Sequence, residues 1–235
     1  MPNDAPPART TALALLCRKP VPGAGKRRLA RCLGETWTLA VAAALLECVL
    51  EDAAVWPEEL IISPAEARDA QWAQGLVSRP AWVVPQPSGN LGERIAAVDA
   101  AARARGCDRV LFIGSDAPSM RFEDLTAARA ALDRSDVVLI PAVDGGVTLM
   151  GARVEWPDLT DLPWSEPTFG EALERRCRQS GRTVARLAGS YDVDTPADLA
   201  RAEDQLTQDT RPARRRLHAL LRKLLLWAPG AGVPG

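Results

Sequence analysis

The chain has 235 residues, 47% of them hydrophobic and 25% charged, with a formal net charge of -1. That balance excludes a disordered or collagen-like chain, and a domain near this size buries roughly 70% of its unfolded surface. No uninterrupted apolar run reaches the roughly 20 residues that a spanning helix needs.

Met1 to Thr10 is polar and proline-rich, without the basic-then-apolar order of a secretory signal, and is expected to be a flexible leader. Thr11 to Cys17 is a short apolar run that predicts a buried strand. Arg18 to Lys26 (RKPVPGAGK) is too broken by Pro and Gly for a helix and reads as a loop. Thr36 to Ala54 predicts a helix, Glu59 to Ser63 a strand, and Pro64 to Gln74 a second helix with Pro at its start. Trp82 to Pro85 is a short strand. Leu91 to Arg105 is a helix entered through Ser88, Gly89 and Asn90 and stopped at Gly106. Arg109 to Gly114 is a strong strand, Phe122 to Arg134 a helix, and Asp136 to Pro141 the next strand. Val147 to Ala152 follows Asp144-Gly145-Gly146 as a strand. Thr168 to Gln179 is a helix, Thr183 to Leu187 a strand and Pro196 to Leu206 a helix. Strands alternating with helices of this length indicate an α/β fold with a largely parallel sheet, complete by Leu206.

Residues 207–235 read as a separate tail. Leu217, Leu220, Leu221, Leu224 and Leu225 form one helical stripe. Arg211, Arg214, Arg215, Arg216, Arg222 and Lys223 make the tail basic, leaving 23 basic against 30 acidic side chains over residues 1–210. A basic amphipathic helix can lie on an anionic membrane surface, or pack on the acidic body or on another subunit. The body shows no basic footprint for nucleic acid.

The five cysteines are odd in number and contain no C-x-x-C pair, which favours a reducing, cytoplasmic setting without a zinc or disulfide framework. The single histidine, His218, lies in the tail and is expected to be solvated. Histidine-based couples and metal sites in the body are therefore excluded, so carboxylates, Arg, Lys and backbone dipoles must carry any chemistry. Of 29 basic residues three are lysines, and Lys19 and Lys26 share the first loop, where a compact point charge suits phosphate.

Ligands of open α/β sheets bind outside the carboxyl ends of the strands. Here those ends carry the Arg18–Lys26 loop, Ser115-Asp116-Ala117-Pro118, and Val143-Asp144-Gly145-Gly146, with Asp192-Val193-Asp194-Thr195-Pro196 near the end of the body. Basic groups and glycines on one side, with carboxylates on the other, suit a nucleoside diphosphate and a hard divalent cation.

Five ordered stretches also resemble one family. They are Lys19-Pro20-Val21-Pro22-Gly23 with Lys26, Arg28 and Leu29; Gly89-Asn90-Leu91-Gly92-Glu93-Arg94; Ile113-Gly114-Ser115-Asp116-Ala117-Pro118; Asp144-Gly145-Gly146; and Asp192-Val193-Asp194-Thr195-Pro196. Together, over residues 11–206, they resemble the glycosyltransferase-A-fold proteins of the arsenosugar-biosynthesis or radical-SAM/selenodomain-associated type, in the nucleotide-diphospho-sugar transferase superfamily. The resemblance implies a single GT-A-like (Rossmann-like) domain with a mostly parallel mixed sheet. It implies a metal-dependent glycosyltransferase with a nucleotide-sugar donor, a small-molecule acceptor and Mg or Mn. The wider superfamily keeps two alternatives open: a guanylyltransferase-like nucleotidyltransferase releasing pyrophosphate, and a non-catalytic nucleotide-binding relative.

Carried over residue by residue, Lys19, Gly23, Gly25, Lys26 and Arg28 would wrap the nucleotide phosphates. Gly114 would admit the nucleotide, and Gly92, Glu93 and Arg94 would read a sugar or base. Asp116 and Asp194 would hold the metal, with Asp192 near them. Asp116, Asp144 and Asp194 would be catalytic, and Gly145 and Gly146 would line the acceptor side. The sequence departs from the family in carrying Val147 and Thr148 where aromatics usually follow Asp-Gly-Gly, Arg27 in place of Thr, and Ala117 in place of Cys.

Overall fold

The computed structural model describes residues 10–227, so the leader expected over residues 1–10 lies, but for Thr10, outside the described residues. Among the described residues the seven strands are β1 (Thr11–Cys17), β2 (Glu59–Pro64), β3 (Trp82–Val83), β4 (Arg109–Ile113), β5 (Val137–Pro141), β6 (Val147–Ala152) and β7 (Val184–Arg186). Seven α-helices are α1 (Arg27–Ala54), α2 (Ala70–Gln74), α3 (Leu91–Ala104), α4 (Phe122–Ala131), α5 (Phe169–Gln179), α6 (Pro196–Gln205) and α7 (Pro212–Trp227).

The strands form one mixed sheet in the order β3-β2-β1-β4-β6-β5-β7. All pairings are parallel except those of β6 with β4 and β5. The five residues between β5 and β6 are too few for a crossover, so this pair must be a hairpin. The expected largely parallel α/β sheet is present.

Each central strand alternates its side chains between two cores, as a period of two requires. Leu13, Leu15 and Cys17 of β1 pack with Leu46, Val49 and Ala53 of α1 and with Leu125 and Ala128 of α4. Ala12 and Ala14 face the other layer, with Ile95, Val98 and Ala102 of α3 and Leu173 and Cys177 of α5. A third cluster lies outside α1, where Val41, Leu45 and Cys48 meet Leu199 of α6 and Leu217, Leu221 and Leu224 of α7. The leucine stripe is thus buried inside the protein, and His218 faces Glu203 at 3.4 Å rather than standing in solvent.

The largest departures from the sequence expectation lie at the start of α1 and after β2. Helix α1 starts at Arg27, not Thr36, and bends at Gly34, whose φ of 75° interrupts the helical geometry that the Ala/Leu pattern marks beyond it. Pro64 continues β2 in parallel register with Cys17, so the helix expected there shrinks to a 3-10 turn, Ala67–Asp69, and the short α2. By length and composition α1 could cross a membrane, yet here it is a core helix carrying buried Leu45, Cys48 and Val49. All five cysteines are free.

The far edge of the sheet is tied by one carboxylate. Asp136 accepts from Thr183 N at 2.9 Å, Thr183 Oγ1 at 2.7 Å and Arg153 Nη2 at 2.9 Å, joining the starts of β5 and β7 to the end of β6. The Thr183 bonds, with Arg153, hold its pKa down to about 2. A depressed carboxylate pKa gives stability that is complete above the unfolded value of about 3.9 and is lost as pH falls through the folded one. Asp136→Asn should therefore cost about 1–3 kcal/mol at neutral pH. In urea titrations the gap between variant and wild type should shrink between pH 4 and the folded pKa near 2. A gap that does not change over that range would show that the carboxylate charge is not what matters.

Candidate functional site

The loop after β1 turns back on itself through Gly23 (φ 76°) and Gly25 (φ 75°), conformations that glycine adopts without strain. Lys26 follows in the left-handed region as well, at φ 40°, which is uncommon for a residue with a Cβ. That backbone starts α1 and sends the Lys26 side chain across the carboxyl ends of the strands. Its ammonium donates to Val193 O at 2.6 Å, Asp194 Oδ1 at 3.1 Å and Asp116 Oδ2 at 3.3 Å. Burial alone would lower the lysine pKa, but the Asp116 and Asp194 charges outweigh it and raise it.

Asp116 sits beyond the end of β4, two residues after Gly114. A Cβ on Gly114 would lie 2.9 Å from Asp116 Oδ1, so the glycine leaves room for this carboxylate as it lies. Val193 N donates to Asp116 O at 3.0 Å, drawing the two segments together. The second segment is extended, and its side chains alternate. Tyr191 and Val193 are buried in the α1–α6–α7 cluster, whereas Asp192 and Asp194 are half-buried. Helix α6 starts immediately afterwards with a capping box. Thr195 Oγ1 accepts from Asp198 N at 3.3 Å, and Asp198 Oδ2 accepts from Thr195 N at 2.8 Å and Asp194 N at 3.2 Å. The helix start thereby fixes the backbone that carries Asp194.

One carboxylate oxygen from each of Asp116, Asp192 and Asp194 lies within 4.8 Å of the others. The sequence marks Asp192 only as a neighbour of the two metal candidates. The signal was the alternate spacing of the two acids in an extended segment, which puts both on one face. Burial, followed by the charges of Asp116, Asp144 and Asp194, pushes the Asp192 pKa up to about 7. Asp144 therefore acts electrostatically on the cluster, while its own Oδ1 accepts from Gly146 N at 2.9 Å in the β5–β6 hairpin. Three oxygen-bearing carboxylates suit a hard cation such as magnesium or manganese, and a divalent charge would relieve their mutual repulsion.

The remaining sequence candidates are spread around this centre. Lys19 is half-buried on the opening loop and Arg28 is exposed on the first turn of α1. Beside that loop, Pro20, Val21, Gly23, Gly25, Arg27 and Arg31 help to line a cavity of about 330 Å³. Gly92, Glu93 and Arg94 are engaged in starting α3. Glu93 completes a capping box with Asn90, and Arg94 Nε donates to Gly89 O at 3.0 Å. Gly92 is buried against the Leu159 backbone. Gly145, at φ 90°, lies so close to Pro167 that any Cβ would collide with the Pro167 carbonyl. Its own carbonyl accepts from Gly170 N at 2.8 Å. The Asp-Gly-Gly turn is therefore shaped by its packing on the segment that leads into α5.

Comparison with known proteins places this geometry. A family model described as "Uncharacterized protein conserved in bacteria (DUF2064)" matches residues 45–166. A phosphoenolpyruvate guanylyltransferase from Geodermatophilus obscurus is 38% identical over 109 residues, which are 44% of this chain and 46% of that protein. The match thus spans under half of that relative's length. Among solved structures, a protein of Desulfovibrio desulfuricans G20, provisionally described as a nucleotide-diphospho-sugar transferase, superposes with a TM-score of 0.83 at 23% identity. The superposition covers 96% of this chain and 100% of that one. A cytidylyltransferase from Leptospira borgpetersenii gives a TM-score of 0.55 at 10% identity, over 97% of this chain and 100% of that one. These likenesses show the fold: a mixed α/β sheet of the nucleotide-diphospho-sugar transferase type.

The packing of Gly92 gives a test that separates scaffold from ligand contact. A Cβ there would come within 2.5 Å of the Leu159 carbonyl oxygen, which is backbone and cannot swing away. Gly92→Ala should destabilise the protein by about 1–3 kcal/mol in urea titrations and leave nucleotide affinity of the folded protein unchanged. An unchanged urea midpoint with lost nucleotide affinity would instead put Gly92 at the ligand.

Proposed function

The chain belongs to the DUF2064 family, and from the geometry of its acidic centre we propose that it is a divalent-cation-dependent transferase with a nucleotide-activated sugar donor. The observation that carries this reading is the convergence of Asp116, Asp192 and Asp194 beneath a glycine-rich basic loop at the carboxyl ends of the strands. The fold likeness and the five ordered sequence stretches agree with it.

In this reading Asp116 and Asp194 hold the cation and Asp192 adds a third oxygen. Bound magnesium or manganese would offset the charge that develops on a diphosphate leaving group. Gly23 and Gly25 let backbone N–H groups approach the phosphates, while Lys19 adds charge on the opening loop and Arg28 on the first turn of α1, where the helix dipole also favours an anion. Lys26, bonded to Asp116 and Asp194, offsets the repulsion between these carboxylates and can donate to a phosphate oxygen bound beside them. Asp144, beside the acidic cluster, takes the proton of an acceptor hydroxyl. The acceptor oxygen bonds to the anomeric carbon, and the bond from that carbon to the β-phosphate oxygen breaks. The electron pair leaves with the nucleoside diphosphate.

A second reading has its own support, the 38% identity to a phosphoenolpyruvate guanylyltransferase. There a phosphate or carboxylate oxygen of the acceptor, already anionic, attacks the α-phosphate of a nucleoside triphosphate, and pyrophosphate leaves. The same carboxylates and loop serve both. The product separates them when the purified protein is incubated with nucleotide sugars, or with triphosphates and phosphorylated acceptors, in magnesium or manganese. Free nucleoside diphosphate supports sugar transfer, pyrophosphate supports nucleotidyl transfer, and neither product leaves a nucleotide-binding relative without catalysis.

Two substitutions test the site itself. Asp116→Asn should abolish the metal-dependent part of nucleotide binding while the circular dichroism and melting temperature stay close to wild type, because a neutral amide is a weaker ligand for a hard cation. Equal affinity in the presence of metal would remove Asp116 from the site. Arg28→Ala should weaken nucleotide binding by about 1.5–3 kcal/mol, roughly ten- to a hundred-fold in Kd. Wild-type affinity in this variant and in Lys19→Ala would make the opening loop a turn with no ligand.

A further inference from the structure

The loop that carries Asp116 is held from a direction the proposed chemistry does not require. Its Pro118 and Met120 carbonyls point away from the acidic centre toward α7. Arg214 Nε donates to Pro118 O at 3.2 Å, and Arg214 Nη2 donates to Met120 O at 3.0 Å. Arg211 Nη1 donates to the same Met120 carbonyl at 2.9 Å.

Both guanidiniums are anchored in turn on α1. Arg214 is completely buried and also reaches the Cys48 carbonyl, the Asp52 carboxylate and, at 3.1 Å, Glu51 Oε2. Arg211 bonds Asp52 Oδ1 at 3.3 Å and Asp209 Oδ2 at 2.6 Å. Burial raises the Asp52 pKa, and the two arginines oppose that rise.

The position of Arg214 in the sequence makes this arrangement informative. Residues 214, 217, 221 and 224 form the buried stripe of α7, and the other three are leucines. Packing alone would be met by a fourth leucine, since a buried ion pair is often no more stabilising than an apolar replacement. What a guanidinium adds is a rigid fork of five donors, and here that fork reaches the two carbonyls that follow Asp116 by two and four residues.

We infer that Arg214 and Arg211 are positioning residues for Asp116: through the Pro118 and Met120 carbonyls they set the loop that presents this carboxylate to a divalent cation. The inference rests on the cation-site reading above. It makes the basic C-terminal helix part of the support of the acidic centre, linking segments that are far apart in sequence. Groups that act through a metal ligand in this way commonly change metal affinity by about 10- to 100-fold.

The test uses the full chain, with Mn²⁺ alone titrated into wild type, Arg211→Ala, Arg211→Lys, Arg214→Lys and Asp116→Asn and followed by electron paramagnetic resonance. Hydrogen exchange of the amides of residues 115–120 is read in the same proteins. Arg211→Ala, with a melting temperature near wild type, should bind Mn²⁺ roughly 10-fold or more weakly and exchange faster in that loop. Arg211→Lys, which keeps one donor, should recover part of both. Arg214→Lys should behave like Arg211→Ala if it folds, and if it does not fold the two Arg211 variants decide alone. A folded Arg211→Ala with wild-type Mn²⁺ affinity, beside an Asp116→Asn that has lost it, overturns this inference and leaves the cation site standing. A wild type that binds no Mn²⁺ overturns the cation site, and the positioning role with it.

Discussion

The half-buried ammonium of Lys26 is the counter-charge on which the acidic end of the sheet depends. Unit charges of like sign 4 Å apart repel by about 4 kcal/mol at an effective dielectric of about 20. Asp116, Asp192 and Asp194 bring oxygens within 4.8 Å of one another, and Asp144 adds its field. Lys26 Nζ, at 3.1 Å from Asp194 and 3.3 Å from Asp116, offsets part of that repulsion. Burial first, and then the remaining field of Asp116, Asp144 and Asp194, pushes the Asp192 pKa up to about 7. A cluster left under-compensated in this way favours any added positive charge, which is the physical basis for reading it as the seat of a cation.

The fold delivers this crowding by simple means. Parallel strands β1 and β4 end side by side, so the loops after them open at the same edge. The hairpin from β5 to β6 returns Asp144 to that edge, and an isolated bridge from Ala142 to Ser190 leads the chain to Asp192. Capping of α6 then fixes Asp194. The supports lie further out: α1 carries Lys26 at one end and Asp52 at the other, and Asp52 anchors Arg214 of α7 and Arg211 just before it, which grip the loop after Asp116. The acidic centre and the basic tail are thus two ends of one electrostatic framework built around α1.

Much of this was legible in the sequence, for identifiable reasons. The apolar runs from Arg109 to Gly114 and from Asp136 to Pro141 marked buried strands because helices cover both faces of the sheet there. Asp116, Asp194 and Lys26 stood at strand ends or in a Gly-rich loop, and the structure brings the three together. Gly92, Glu93, Gly145 and Gly146 were equally visible, but their observed contacts are to their own caps and turns and to the backbone at Leu159, Pro167 and Gly170, and short motifs do not distinguish such packing from ligand contact. The first turns of α1 were hidden by the Pro/Gly loop before them and by the bend at Gly34. The contacts of Arg214 could not be read at all. A basic residue on an apolar stripe looks like a solvated edge of that stripe until Cys48, Asp52 and Pro118 arrive from distant parts of the chain.

The claim at the centre of the account is that the three carboxylates are the seat of a divalent cation. The most direct measurement is anomalous diffraction, at the manganese absorption edge, from crystals grown with Mn²⁺ and a nucleotide. The account predicts one strong anomalous peak in coordinating contact with Asp116, Asp192 and Asp194, with nucleotide phosphate density between that peak and the Gly23–Arg28 loop. A fully occupied manganese elsewhere, with Lys26 still closed on Asp116 and Asp194 and no peak among the carboxylates, would contradict it.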